Sequence, residues 1–138
     1  MSHFLAGVLS SGGRVGLQIV RSGAWLVTDL ELARDSRART RGLLGRDGLP
    51  DGAGLVIAPS QGVHTFGMRF PIDIVFVRRD GRVVRCRSTV PARRVAVWLT
   101  AFAVIELPAG RAGRAGLEAG DVLRATAIAD FDDDFIGQ

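Results

Sequence analysis

The stretch HTFGMRFPIDIVF, residues 64–76, sets a histidine, a methionine and an arginine just ahead of a proline and an aspartate just behind it. His64 has the chemistry of a general base, a metal ligand or an anion contact. The plainer alternative is a histidine at the start of a strand, bonded to a carbonyl or to solvent. Asp73 is the more demanding residue, because a carboxylate placed inside a fold must find partners or hold its proton. Backbone amides could supply those partners, or an arginine from residues 37–46, most simply Arg41, could grip it through both guanidinium arms. Met68, just before the proline, is expected to pack at the mouth of the core. A metal would need two or three further ligands, and His3, the only other histidine, lies near the N-terminus. A set of His64, Asp73 and Glu106 has the spacing of no known ligand motif, so neither metal nor cofactor is expected.

Other reactive residues read as structural. Cys86, the single cysteine, stands between Arg85 and Arg87. On a strand those arginines project to the opposite face and do not activate the thiol, so a small core residue is expected. Gly110, Gly113 and Gly116 do not have the spacing of a nucleotide-binding loop. Asp121 fits a turn cap before the last strand. No nucleophile elbow is present.

The elements that must position these residues are short. Val15 to Val20 and Trp25 to Leu32 carry strand-like patterns on either side of an RSGA turn. Asp35 or Ser36 can cap a helix over Arg37 to Leu44, with Gly45 ending it and Gly42 marking a close backbone approach. Leu55 to Ala58 reads as a buried strand. A hairpin then follows, with Asp80-Gly81 as a two-residue turn. That turn sets Val77 opposite Val84, Val75 opposite Cys86 and Asp73 opposite Ser88, and this face is expected to be the buried one. Phe76 and Ile74 would then lie under Arg85 and Arg87 on the outer face. The run VAVWLTAFAVIELP is ambiguous, with strand favoured for Phe102 to Leu107. A short helix ended by Gly116, a turn at Glu118 to Gly120 and a strand from Val122 to Ile128 complete the pattern. The fold class expected is mostly β, a barrel or sandwich of short strands with two short α-helices at the edges.

At 138 residues the chain is one domain that can bury a core without staples. The division expected is a weakly ordered lead-in over 1–14, the β-rich domain over 15–128 and an acidic, disordered tail over 129–138. The longest apolar run is too short for a membrane helix, which takes roughly 20 residues, and FLAGVL is too short for a signal-peptide core. A cytoplasmic protein without a membrane partner is therefore expected. All 18 basic residues are arginine, and four of the 14 acidic ones crowd into residues 130–134, leaving a basic body. Such a surface suits a phosphate or a carboxylate. Nucleic acid is disfavoured, since aromatic stacking platforms are scarce and the acidic tail would compete for the same surface.

Three segments in order, RTRGLLGR (39–46), HTFGMRFPIDIVFVRRDGRVV (64–84) and IELPAGRAGRAGLEAGDVL (105–123), together resemble domain-of-unknown-function family 192, over roughly residues 25–128. The resemblance implies a compact, mainly β single domain with small helices at its edges, and it implies no reaction. Members often carry an aromatic-Met-Lys-Asn segment where this chain reads Phe66-Gly67-Met68-Arg69-Phe70. Many also carry an export or lipoprotein signal that is not evident here. The function expected is binding of an anionic small molecule or a protein segment, without catalysis, at Arg41, His64, Met68 and Asp73. The alternatives are a hydrolase or isomerase with Asp73 or His64 as general base, and an interaction or nucleic-acid module using the arginine hairpin.

Overall fold

The computed structural model describes residues 3–7, 13–33 and 35–128. Its elements run β1 (Val15–Ile19), β2 (Trp25–Val27), β3 (Asp29–Ala33), α1 (Ser36–Arg41), β4 (Ala53–Ile57), β5 (Gly62–His64), β6 (Ile72–Val77), β7 (Val83–Val90), β8 (Val95–Val97), β9 (Ala103–Pro108), α2 (Arg111–Arg114) and β10 (Leu123–Ala127). The domain is mostly β, with both helices short, as expected. The strands form three open sheets and no closed barrel: a five-stranded sheet in the order β3-β4-β9-β6-β7, a three-stranded sheet β10-β1-β2 and a ribbon β5-β8. Among the described strands only β3 and β4 pair in parallel.

The five-stranded sheet is the middle layer, with a core on each face. Val56, Val75, Ile105 and Leu107 pack against Leu17, Ile19 and Leu26 of the three-stranded sheet. Ile57, Ile74, Phe76 and Val104 pack on the other side against Leu43, Met68 and Ala96. Strand β6 lies between β9 and β7 and is buried along its whole length. The sequence reading that left Ile74 and Phe76 on an outer face is therefore corrected. A central strand covered on both sides reads as a continuous apolar run, not as an alternation.

The hairpin register holds in its middle and differs at its ends. Val75 faces Cys86, Phe76 faces Arg85 and Ile74 faces Arg87, as expected. At the tip the Arg78 N–H donates to the Arg82 carbonyl (2.9 Å) and the Gly81 N–H to the Arg78 carbonyl (3.0 Å), so the loop has three residues instead of two. Gly81 takes φ +90°, and a Cβ there would collide with the Leu123 carbonyl. Val77 consequently pairs with Val83, and a bulge at Val84 returns the strands to the expected register. A second irregularity sets both Ser88 and Thr89 against Asp73.

Residues 3–7, from the segment read as a lead-in, make a turn against this hairpin. The Phe4 N–H donates to the Arg79 carbonyl (2.7 Å), and Leu5 is fully buried. The acidic segment 129–138 lies outside the described residues. Among the described residues no helix is long and apolar enough to cross a membrane.

Candidate functional site

Cross-strand pairing aligns Glu31, Leu55, Glu106, Ile74 and Arg87 in one row across the five-stranded sheet. Directly paired residues share a face, so Glu106 emerges on the side of Ile74 and Phe76, in the middle of an apolar surface. It is 3% exposed, and among the described residues its carboxyl group takes no hydrogen bond. Burial pushes it up to about 7, opposed by the nearby positive charge of Arg46. That arginine is itself tied to Glu31 at 2.9 Å, and its guanidinium is raised, chiefly by this bond.

Helix α1 covers this carboxyl group. The Asp35 side chain accepts from the Ala38 N–H at 2.7 Å and starts the helix, as expected. The helix ends at Gly42, not at Gly45, because Gly42 turns to φ +52°. A Cβ at position 42 would lie 3.1 Å from Glu106 Oε1, so the glycine is the close approach the sequence suggested. Gly42 thus both ends the helix and lets its backbone rest on the buried acid.

Between α1, β5 and the sheet is a cavity of about 180 Å³. Glu106 lies on its floor, Ile57, Leu43 and Met68 form apolar walls, and Arg39, Arg41 and His64 stand at its rim. Arg41 also borders an adjoining cavity of about 380 Å³ that reaches Arg46 and Glu31. His64 ends β5 exposed, with its ring 5.9 Å from that of Phe66. Three of the residues singled out from the sequence, Arg41, His64 and Met68, therefore line one cavity.

Asp73 does not join them. Its strand neighbour Ile74 pairs with Glu106, while Asp73 pairs with Leu107, and successive residues of a strand point to opposite faces. Its carboxylate accepts three backbone N–H groups: Thr89 (2.8 Å) and Gly110 (2.9 Å) on Oδ1, and Ala112 (2.9 Å) on Oδ2. It thereby fixes the irregular end of β7 and the start of α2. The backbone-amide alternative is the one realised, and the Arg41–Asp73 pair is not. Glu106, weighed from the sequence only as a member of an ill-spaced metal set, occupies the floor instead. The available signal was an isolated glutamate inside the apolar run AVIEL.

The remaining candidates take structural places. Cys86 packs partly buried on the core side, and its thiol is pushed up by burial and by the charge of Asp73. Asp121 accepts from the Glu118 N–H at 2.9 Å and from Arg21 at 2.7 Å, capping the turn before β10. Among the described residues no three His, Cys, Asp or Glu side chains group closely enough to hold a metal ion.

A layered β domain whose middle sheet carries a buried acid, Glu106, beneath a helix with an arginine rim is the class of protein these features define. The family model of DUF192 (Uncharacterized ACR) matches residues 17–125, and the chain belongs to this uncharacterised family. The fold is shared with a crystal structure of a protein of unknown function from Novosphingobium aromaticivorans DSM 12444, at TM-score 0.69 and 26% identity over 80% of this chain and 82% of that one. It is shared equally with a Sinorhizobium meliloti 1021 protein described only provisionally as a transcription regulator, at TM-score 0.72 and 25% identity over 82% of this chain and 92% of that one. No curated protein matches significantly.

Proposed function

We propose that the domain binds a small anionic molecule, or the anionic end of a protein segment, in the cavity above Glu106, without catalysis. The observation that carries this reading is a buried carboxyl group, without a hydrogen bond among the described residues, at the floor of a cavity rimmed by Arg39 and Arg41. The Glu106 carboxyl group borders the cavity and makes no hydrogen bond to the described residues, so an oxygen atom of a ligand placed there can take it as a partner. With its affinity for protons raised to about 7, Glu106 can donate to a ligand carboxylate while the arginines balance the charge. The volume lies below the roughly 300–1,000 Å³ of sites for drug-sized ligands, so the occupant is a handful of heavy atoms or the tip of something larger.

The test is a thermal-shift screen of small carboxylates and phosphates at pH 6 and pH 8. A ligand at about 100 times its Kd adds about 2.7 kcal/mol, which moves the midpoint by several degrees. The expected hit is weakened by Arg41→Gln and by Glu106→Gln, and is tighter at pH 6. A hit indifferent to both substitutions would place the ligand elsewhere.

A second reading has one specific support: a buried carboxyl group held near 7 is also suited to general-base catalysis. In that reading Glu106 takes the role first considered for Asp73 or His64, since three backbone N–H groups already occupy Asp73. Turnover of the bound ligand with an apparent pKa near 7, abolished in Glu106→Gln, would favour it over simple binding.

A further inference from the structure

We propose that the outer face of the β5–β8 ribbon is a peripheral docking surface for an anionic lipid bilayer. Among the described residues the ribbon pairs with no other strand. Alternation along β8 turns Ala96 into the core and Val95 and Val97 out to solvent, and Trp98 and Leu99 continue the exposed run. Leu99 is 76% exposed and Val95 60%. Phe66 joins them from the turn that follows β5, its ring beside that of His64, which pairs with Val95. Scattered exposed apolar residues are ordinary, but two on β8 and three in the turns that leave β5 and β8 form a patch that calls for a covering partner.

The charge around the patch is mainly positive, with Asp80 beside Leu99 set among Arg78 and Arg79. Residues 81–105 contain no aspartate or glutamate and five arginines. Arg87 reaches the Val95 carbonyl (3.5 Å), and Arg85 lies 5.5 Å from the centre of the Trp98 ring. Arg93 and Arg94 lead into Val95. Arg21, Arg46, Arg69, Arg111 and Arg114 all pair with carboxylates, whereas among the described residues Arg85, Arg87, Arg93 and Arg94 do not. Arg93 also takes φ +68°, a left-handed conformation that glycine would adopt at less cost.

Aliphatic tips and a tryptophan ringed by arginine are the chemistry of a surface that lies in the headgroup region, with the arginine stems along the acyl boundary and their charges on lipid phosphates. A second copy of the chain would bring four unpaired arginines against four. A nucleic acid would gain nothing from Val95, Val97 and Leu99, which cannot stack on bases. Lying on a bilayer needs no membrane-crossing helix, so the absence of one among the described residues is no objection.

The test is co-sedimentation of the full chain with phosphatidylcholine vesicles, with and without about 30% phosphatidylglycerol. The partition coefficient is expected to rise at least tenfold with the anionic lipid and to fall back in 0.5 M salt. Arg87→Gln and Arg94→Gln should each lower it by roughly fivefold. Val97→Ser with Leu99→Ser should lower it at least as much while the melting midpoint stays unchanged, because both side chains are exposed. Arg93→Gly removes a charge while easing the backbone, so its loss of binding cannot be attributed to unfolding. Equal partition into neutral and anionic vesicles, or partition indifferent to these substitutions, would overturn the proposal. So would a dimer that Leu99→Ser dissolves, or a polynucleotide complex formed where anionic vesicles are ignored.

Discussion

Asp73 and Glu106 are buried one register step apart on neighbouring strands and point to opposite faces of the same sheet, since Asp73 pairs with Leu107 and Glu106 with Ile74. The two acids meet opposite fates. Asp73 is saturated by three backbone amides, whereas Glu106 has a helix end resting on it and no donor among the described residues. One is a clamp of the fold, and the other faces a cavity.

Removing the clamp should cost stability and little else. An asparagine at position 73 presents one acceptor atom and one donor, so at least one of the three N–H groups loses its partner, at about 1–3 kcal/mol each. Asp73→Asn is expected to destabilise by about 3 kcal/mol, and Asp73→Ala by more, in urea titrations. Ligand affinity at the Glu106 cavity should stay within about twofold, because the side chain lies across the sheet. A large loss of affinity in a folded Asp73→Asn protein would reconnect the two acids.

This division between faces explains what was legible beforehand. The position of the Asp80-Gly81 turn led to the right partner for Val75, Cys86, and to an inward Asp73, but only because the extra loop residue at the tip is offset by the bulge at Val84. The turn could not show which face of the sheet met α1, because β6 is apolar on both faces and either side could have been the core. The role of Gly42 was half visible: a glycine in a helical run signals a close approach, but its partner, Glu106, is 64 residues further along the chain. The short strands β5 and β8 were hidden as well. Three residues are too few for a period, and VAVWLTAF suits helix and strand alike.

Gly42→Ala is expected to destabilise the domain by about 1–3 kcal/mol, because an L side chain is strained at φ +52° and the new methyl group presses on Glu106. The displaced carboxyl group should also weaken any ligand of the cavity. Gly45→Ala is a useful companion. It has the same kind of positive φ, but only the Arg41 side chain nearby, so its stability loss should come without loss of binding from Glu106 displacement. Equal effects of the two substitutions on binding would count against the Glu106 contact.

Cys86 should be a sluggish nucleophile. Burial and the charge of Asp73 raise its thiol, outweighing the hydrogen bond of Ser88 and the field of Arg85. Alkylation by iodoacetamide at pH 8 is expected to run more than about tenfold slower than for a free cysteine, and to reach the free rate in denaturant. A folded-state rate equal to that of free cysteine would show that the thiol is neither desolvated nor held by its neighbours.

The sharpest pH dependence should come from Glu106. Its folded value is about 7, against 4.5 for an ordinary glutamate, so the folded chain binds this proton more tightly than the unfolded one. Below about pH 4.5 the carboxyl group is protonated in both states and contributes no slope. Between 4.5 and 7 the folded chain keeps a proton that the unfolded chain has released, so stability falls as pH rises. Above 7 both states are ionised, and the full cost of the buried charge, roughly 3 kcal/mol, remains. Glu106→Gln should flatten this segment of the stability profile, and relative to wild type it should gain most above pH 7. Arg46→Gln should steepen it, because the charge that favours the ionised acid is gone. Urea titrations at pH 5, 6, 7 and 8 on the three proteins decide the matter. A wild-type profile as flat as that of Glu106→Gln would mean that the acid already has a partner in solution, and the binding proposal would then lose its main support.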